Sequence, residues 1–219
     1  MATTAADVKA LRESTGAGMM DCKKALDESN GDMDKAVIWL RERGIAKAAK
    51  RSDKVASEGA VHSYIHMGGK VGVLAEVNCE TDFVARGDEF QELCRNICLQ
   101  ICSTAPLAVR REELNQDVVA AEMDLYVKQA AETGKPENIC KQIAEGKLKK
   151  WFSEVCLVDQ QFVKDGDKTI DQLCTELSGK VGEKITIRRF VRYQLGEGIE
   201  KQVSNFAEEV AAELAKAQG

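Results

Sequence analysis

Hydrophobic periodicity changes character along this chain, and that change restricts the fold more than any other feature. Up to residue 44 the apolar positions recur at helical spacing. From Glu58 the period is two: Val61, Ser63, Ile65 and Met67 share one face, Gly68-Gly69 turns the chain, and Val71, Val73, Ala75 and Val77 continue an apolar face on the return. Two alternating runs joined by Gly-Gly predict a β-hairpin. After a long helical block, Lys184–Tyr193 alternates again and predicts a third strand. An isolated hairpin is barely stable, so other elements must cover it. Separated strands with helices between them predict an α+β fold: a small antiparallel three-stranded sheet packed with helices on one face.

The helical parts read as follows. Thr3 or Thr4 caps a first helix through Asp7–Leu11, and Thr15-Gly16-Ala17-Gly18 breaks it. A second carries Met19, Cys22, Ala25 and Leu26 and ends at Asn30-Gly31. Asp32 caps a third, whose stripe is Met33, Ala36, Val37 and Leu40, with Gly44 as the expected terminator. So small a unit buries little core and is marginal alone. Boundaries follow at residues 1–46 for the three helices, 47–57 for a basic linker, 58–201 for the α+β core and 202–219 for a C-terminal helix bearing Val203, Phe206, Val210 and Leu214. Inside the core, Phe90, Leu93, Cys94, Ile97 and Ile101 mark a long amphipathic helix. Val119–Ala130 and Ile139–Val155 give two more, and Thr169–Leu177 a shorter one.

Composition narrows the function. The net charge of −5 lacks the basic excess of a nucleic-acid binder, so no direct nucleic-acid contact is expected. The basic run Lys47–Lys54 reads as a solvated tether, with contact to phosphate or an acidic surface as its rival. No apolar run reaches membrane-spanning length and no secretion signal opens the chain, so a cytoplasmic location is expected. Eight cysteines lack paired metal spacing; Cys94, Cys98 and Cys102 stack on one helix stripe as small buried apolar residues. His62 and His66 are separated by about 13 Å along an extended strand, too far to share one ion. Gly68-Gly69-Lys70 lacks the rest of a phosphate loop. No catalytic residue, metal site or cofactor is expected, and the chain reads as a non-enzyme.

One stretch resists a purely structural reading: Asn78-Cys79-Glu80-Thr81-Asp82-Phe83-Val84-Ala85-Arg86. Thr81 or Asp82 can cap a helix while Phe83 and Val84 enter the core. Equally, an exposed Phe83 beside a carboxylate suits a partner anchor. Pattern alone leaves both open. Leu11-Arg12-Glu13-Ser14-Thr15-Gly16-Ala17-Gly18-Met19-Met20-Asp21-Cys22-Lys23-Lys24-Ala25-Leu26 resembles the N-terminal signature of the elongation factor Ts family, and Glu76–Ala85 resembles its second signature. Arg188-Arg189-Phe190-Val191-Arg192-Tyr193 and Leu195-Gly196-Glu197-Gly198-Ile199-Glu200 also fit its C-terminal part.

That resemblance implies a guanine-nucleotide exchange factor that binds elongation factor Tu·GDP, displaces Mg²⁺ and promotes GDP release so that GTP can rebind. The nucleotide and Mg²⁺ then belong to the partner, and this chain binds neither. It implies a ubiquitin-associated-like three-helix domain that contacts the partner near Leu11, Arg12, Thr15, Gly16, Ala17, Gly18 and Met19. It implies that Asp82 and Phe83, framed by Thr81 and Val84, are presented at a tip and disturb the partner's Mg²⁺ site. Longer members of the family carry a duplicated core and a helical hairpin insertion. One hairpin region and one late strand make this chain similar to the short form, which is expected to work as a homodimer. The rival readings are a non-catalytic helical protein-binding adapter and an RNA-associated protein using Lys47–Lys54.

Overall fold

The computed structural model describes residues 3–199, and the C-terminal helix expected at 202–219 lies outside them. Local chemistry starts each N-terminal helix. Thr4 and Asp7 form a reciprocal capping box at α1 (Ala5–Thr15), and Gly16 closes that helix in the left-handed region, φ 64°. Helix α2 (Met19–Glu28) follows at once, and Asn30 and Gly31, both at positive φ, carry the chain into α3 (Met33–Ala49), capped by Asp32. Val8, Leu11, Cys22, Ala25, Leu26 and Ala36 form the small core of this unit.

Gly44 does not terminate α3. The helix continues to Ala49, and Gly44 is the point where α3 crosses α8 (Ile170–Val181). A Cβ on Gly179 of α8 would lie 2.6 Å from the Gly44 carbonyl oxygen, so two glycines allow the helix backbones to touch. The three-helix unit is thereby seated on the core.

The core holds a three-stranded antiparallel sheet in the order β1 (Glu58–Ile65), β2 (Val71–Cys79), β5 (Thr186–Gln194). Its register pairs His62 with Ala75 and Ala75 with Phe190, with a bulge at Glu76/Val77. One face packs on α5 (Asp88–Thr104) and α8; Val73, Ala75, Val77, Phe90, Leu93, Ile97, Ile101, Ile170 and Ile187 are buried there. The two apolar runs of the hairpin were expected to share a face, and they do not. Directly paired residues project to the same side, so Ala60, His62 and Tyr64 join Val73, Ala75 and Val77 inside. Val61 and Ile65 project outward. A one-residue change of register exchanges the faces of a strand, and the sequence period alone does not report register.

All eight cysteines are free and buried. Burial pushes the Cys94 thiol up to about 12 and the Cys98 thiol to about 11, so both stay protonated at neutral pH. Gln100, fully buried in α5, donates to the Gln160 side chain and the Gln161 carbonyl and accepts from the Val163 backbone. These bonds anchor a two-stranded hairpin, β3 (Gln161–Phe162) and β4 (Asp165–Thr169), which the sequence pattern had not revealed. Helices α6 (Gln116–Ala131) and α7 (Glu137–Val155) fold back on each other, with Lys147 donating to Gln129. These are the two helices expected over Val119–Ala130 and Ile139–Val155, and they pair as a helical hairpin. Trp151, Phe152 and Val155 pack at its base against Ala108, Leu114 and Cys156.

Candidate functional site

Beyond the end of β2 the chain makes a single helical turn, α4 (Asp82–Ala85), before α5 begins. Thr81 is its N-cap: the hydroxyl accepts from the Val84 backbone N–H at 3.4 Å. In one turn only part of the circumference can face the core. Val84 and Ala85 take those positions and are buried, whereas Phe83 is 84% exposed. Asp82 and Arg86, one turn apart and also exposed, form an ion pair alongside it. Such an exposed pair adds little stability. The two readings of this stretch thus divide by residue. Thr81 caps and Val84 is core, but Phe83 leaves the core entirely.

A solvent-exposed aromatic on so short a turn needs other support, and it comes from the far end of the chain. The Glu183 carboxylate accepts from the Glu80 backbone N–H at 3.1 Å, the Thr81 backbone N–H at 3.0 Å and the Thr81 hydroxyl at 2.7 Å. Glu80 in turn accepts from the Lys184 backbone N–H at 2.7 Å and lies 3.4 Å from Arg51. Arg51 donates to the Gly182 carbonyl, and the Lys184 ammonium donates to the Ser52 and Lys54 carbonyls. The basic run is therefore no free tether at this end. Sequence reasoning missed Glu183, and no local signal marks it; only the fold brings positions 81 and 183 together. Beneath the turn, burial and then the negative charge of Glu183 push the Cys79 thiol up to about 11.

The N-terminal residues separate similarly. Leu11 is fully buried in the three-helix core and offers no surface of its own. Its carbonyl accepts from the Thr15 hydroxyl at 2.7 Å, and that hydroxyl accepts from the Ala17 backbone N–H at 3.3 Å, which fixes the loop. Arg12, Gly16, Gly18 and Met19 are exposed, and Thr15 and Ala17 half-buried. Met20, outside the expected set, is more exposed than Met19. Thr15, Ala17 and Gly18 also line a cleft of about 360 Å³ that reaches Gly179 and Lys180 of α8.

The outer sheet face forms a third surface. Val61, Ile65, Leu74, Val191 and Tyr193 stand on it with 46% to 73% of their surface exposed. Glu76 sits among them, held between Arg188 at 2.9 Å and Arg189 at 2.7 Å. Hydrogen bonds from Arg188 and then Arg189 hold its carboxyl below the usual range.

Among the described residues, no group of three or more His, Cys, Asp or Glu is placed to hold a metal ion, and no helix is long and apolar enough to cross a membrane. His66 accepts or donates to the Tyr64 hydroxyl at 3.1 Å instead.

The sequence is similar to known proteins along nearly the whole chain. The family model for Elongation factor TS matches residues 23–197. Elongation factor Ts of Geobacter metallireducens is 56% identical over 212 residues, covering 97% of this chain and 98% of the relative. The Desulforamulus reducens protein of that name is 53% identical, covering 96% and 97%. That of Geobacter sulfurreducens is 54% identical, covering 97% and 98%.

Proposed function

The chain belongs to the elongation factor Ts family, and on that premise we propose that it is a guanine-nucleotide exchange factor for elongation factor Tu. The observation that carries this reading is Phe83, an aromatic side chain held out in water by a capped and externally braced turn. Full burial of a phenylalanine in a partner is worth about 1.5–3 kcal/mol. Its two side-chain torsions cost little to order, which suits an anchor. Phe83 enters between elements of the partner, with Asp82 beside it, and the displacement disturbs the Mg²⁺ site and loosens the phosphate loop. Mg²⁺ demands near-ideal octahedral geometry, so small shifts of its ligands are costly. The exposed face around Arg12, Gly16, Gly18 and Met19 makes a second contact, while Leu11 supports it from within.

Linkage gives the direction of the effect. A protein that prefers nucleotide-free elongation factor Tu weakens GDP binding by the factor by which GDP weakens its own. GTP rebinding then releases it, and no covalent step is required. This chain acts without an active site, cofactor or bound nucleotide of its own. The test is release of a fluorescent GDP analogue from elongation factor Tu. The proposal predicts acceleration by the wild-type chain; unchanged release would leave the adapter reading as the better one.

Two copies pair through the outer sheet face in this reading. Five large apolar side chains there otherwise stand in water, and exposed apolar patches of that kind mark interaction sites. Sedimentation equilibrium returning the single-chain mass at micromolar concentration would sink the pairing.

A further inference from the structure

The structure ties both candidate contact regions to the same end of α8. Its C-terminal residue is followed by Gly182 at φ 76°, which reverses the chain and brings Glu183 back beneath the turn at Thr81. The Ser178 hydroxyl donates to the Glu183 carbonyl at 2.6 Å, fixing that reversal to the helix. From there the Glu183 carboxylate takes up the three bonds from Glu80 and Thr81 already described. One of them decides the direction of the Thr81 hydroxyl proton. With that proton committed to Glu183, an oxygen lone pair remains for the Val84 N–H, which is the cap of α4.

Lys180 reaches the other region. Its ammonium donates to Glu89 at the start of α5 at 2.7 Å. Its side chain crosses Gly16 so closely that a Cβ there would fall 2.1 Å from the ammonium nitrogen. One short segment therefore touches the Thr15–Gly18 loop, the first turn of α5 and the Thr81 turn.

We infer that Glu183 is a positioning residue for nucleotide exchange: it orients the Thr81 cap and so fixes Phe83 relative to the N-terminal contact surface. The inference rests on the exchange reading. Glu183 does not touch the partner in this account; it acts through Thr81. A partner gripped at two points tolerates little error in their spacing, and misplacements near 1 Å cost about 100-fold in comparable positioning problems. Loss of Glu183 leaves the N-terminal surface intact, so capture of the partner persists. The step that suffers is entry of Phe83.

The experiment titrates the full-length chain against elongation factor Tu loaded with a fluorescent GDP analogue and reads maximal release rate and half-saturating concentration separately. The wild type must first accelerate release; if it does not, the exchange reading and this inference both fall. Glu183→Gln is nearly isosteric but cannot accept all three bonds. It should lower the maximal rate about tenfold with little change in half-saturation, the scale expected for a charge-assisted hydrogen bond. Thr81→Ala should reproduce that loss, and Thr81→Ser, which keeps the hydroxyl, should restore most of the rate. The double variant Thr81→Ala, Glu183→Gln should be no slower than the slower single variant, because residues acting as a unit are not additive. A purely structural role gives another signature: fewer competent molecules, hence a raised half-saturating concentration at an unchanged maximal rate. That pattern, fully additive losses, or a Glu183→Gln variant indistinguishable from an active wild type would overturn the inference.

Discussion

Phe83 and Phe90 stand on consecutive helices, α4 and α5, and meet opposite environments. Phe90 is 1% exposed beneath the sheet, among Leu93, Cys94 and Ile97. Phe83 is 84% exposed, and no core contact holds its turn on that side. Helix α5 is held by burial, which is non-directional and strong in proportion to area. Turn α4 is held on its exposed side by directional bonds: the Thr81 cap and the Glu183 carboxylate. The contrast shows how a fold can leave an apolar group in water. Geometry fixed by hydrogen bonds frees the side chain from any structural duty.

Breaking the buried side should give the largest change in stability. Phe90→Ala is expected to cost about 3–5 kcal/mol, read as a lowered midpoint in urea unfolding, because a large cavity opens in a close-packed core. If the loss were below 1 kcal/mol, the core assigned to α5 would be mistaken. A smaller effect is expected where the N-terminal unit meets α8. Gly179→Ala forces a methyl group against the Gly44 backbone and should cost about 1–3 kcal/mol, as overpacking does. The same variant should expose the 50–57 segment to protease sooner than in wild type, since Arg51 and Lys184 hold it only while α3 and α8 stay in place. Unchanged cleavage would mean that the glycine crossing does not seat the unit.

Much of this arrangement was legible beforehand because it is local. Capping residues Thr4, Asp32 and Thr81, the stripe on α5 and the Gly-Gly turn all announce themselves within a few positions. Long-range features were not legible. Gly44 resembles a helix terminator until Gly179 lies against it. Val61 and Ile65 look like core until the register with β2 is known. Hairpin β3–β4 is short and mostly polar, and a single core residue, Phe162, and bonds to the buried Gln100 hold it rather than an alternating apolar face. At the candidate site the motif residues are contiguous and so were visible, but pattern could not divide Val84 from Phe83. Glu183 was hidden altogether, because its partners lie across the chain.

The most direct test compares wild type and Phe83→Ala in one preparation, reading thermal unfolding and GDP release from elongation factor Tu together. An exposed substitution normally changes stability by less than about 0.5 kcal/mol, so the account predicts that the unfolding midpoint stays within about 2 °C. Release by the variant should fall close to the rate of elongation factor Tu alone. A variant that unfolds early, or one that keeps the wild-type release rate, would contradict the claim that Phe83 is held outside the core to act on a partner.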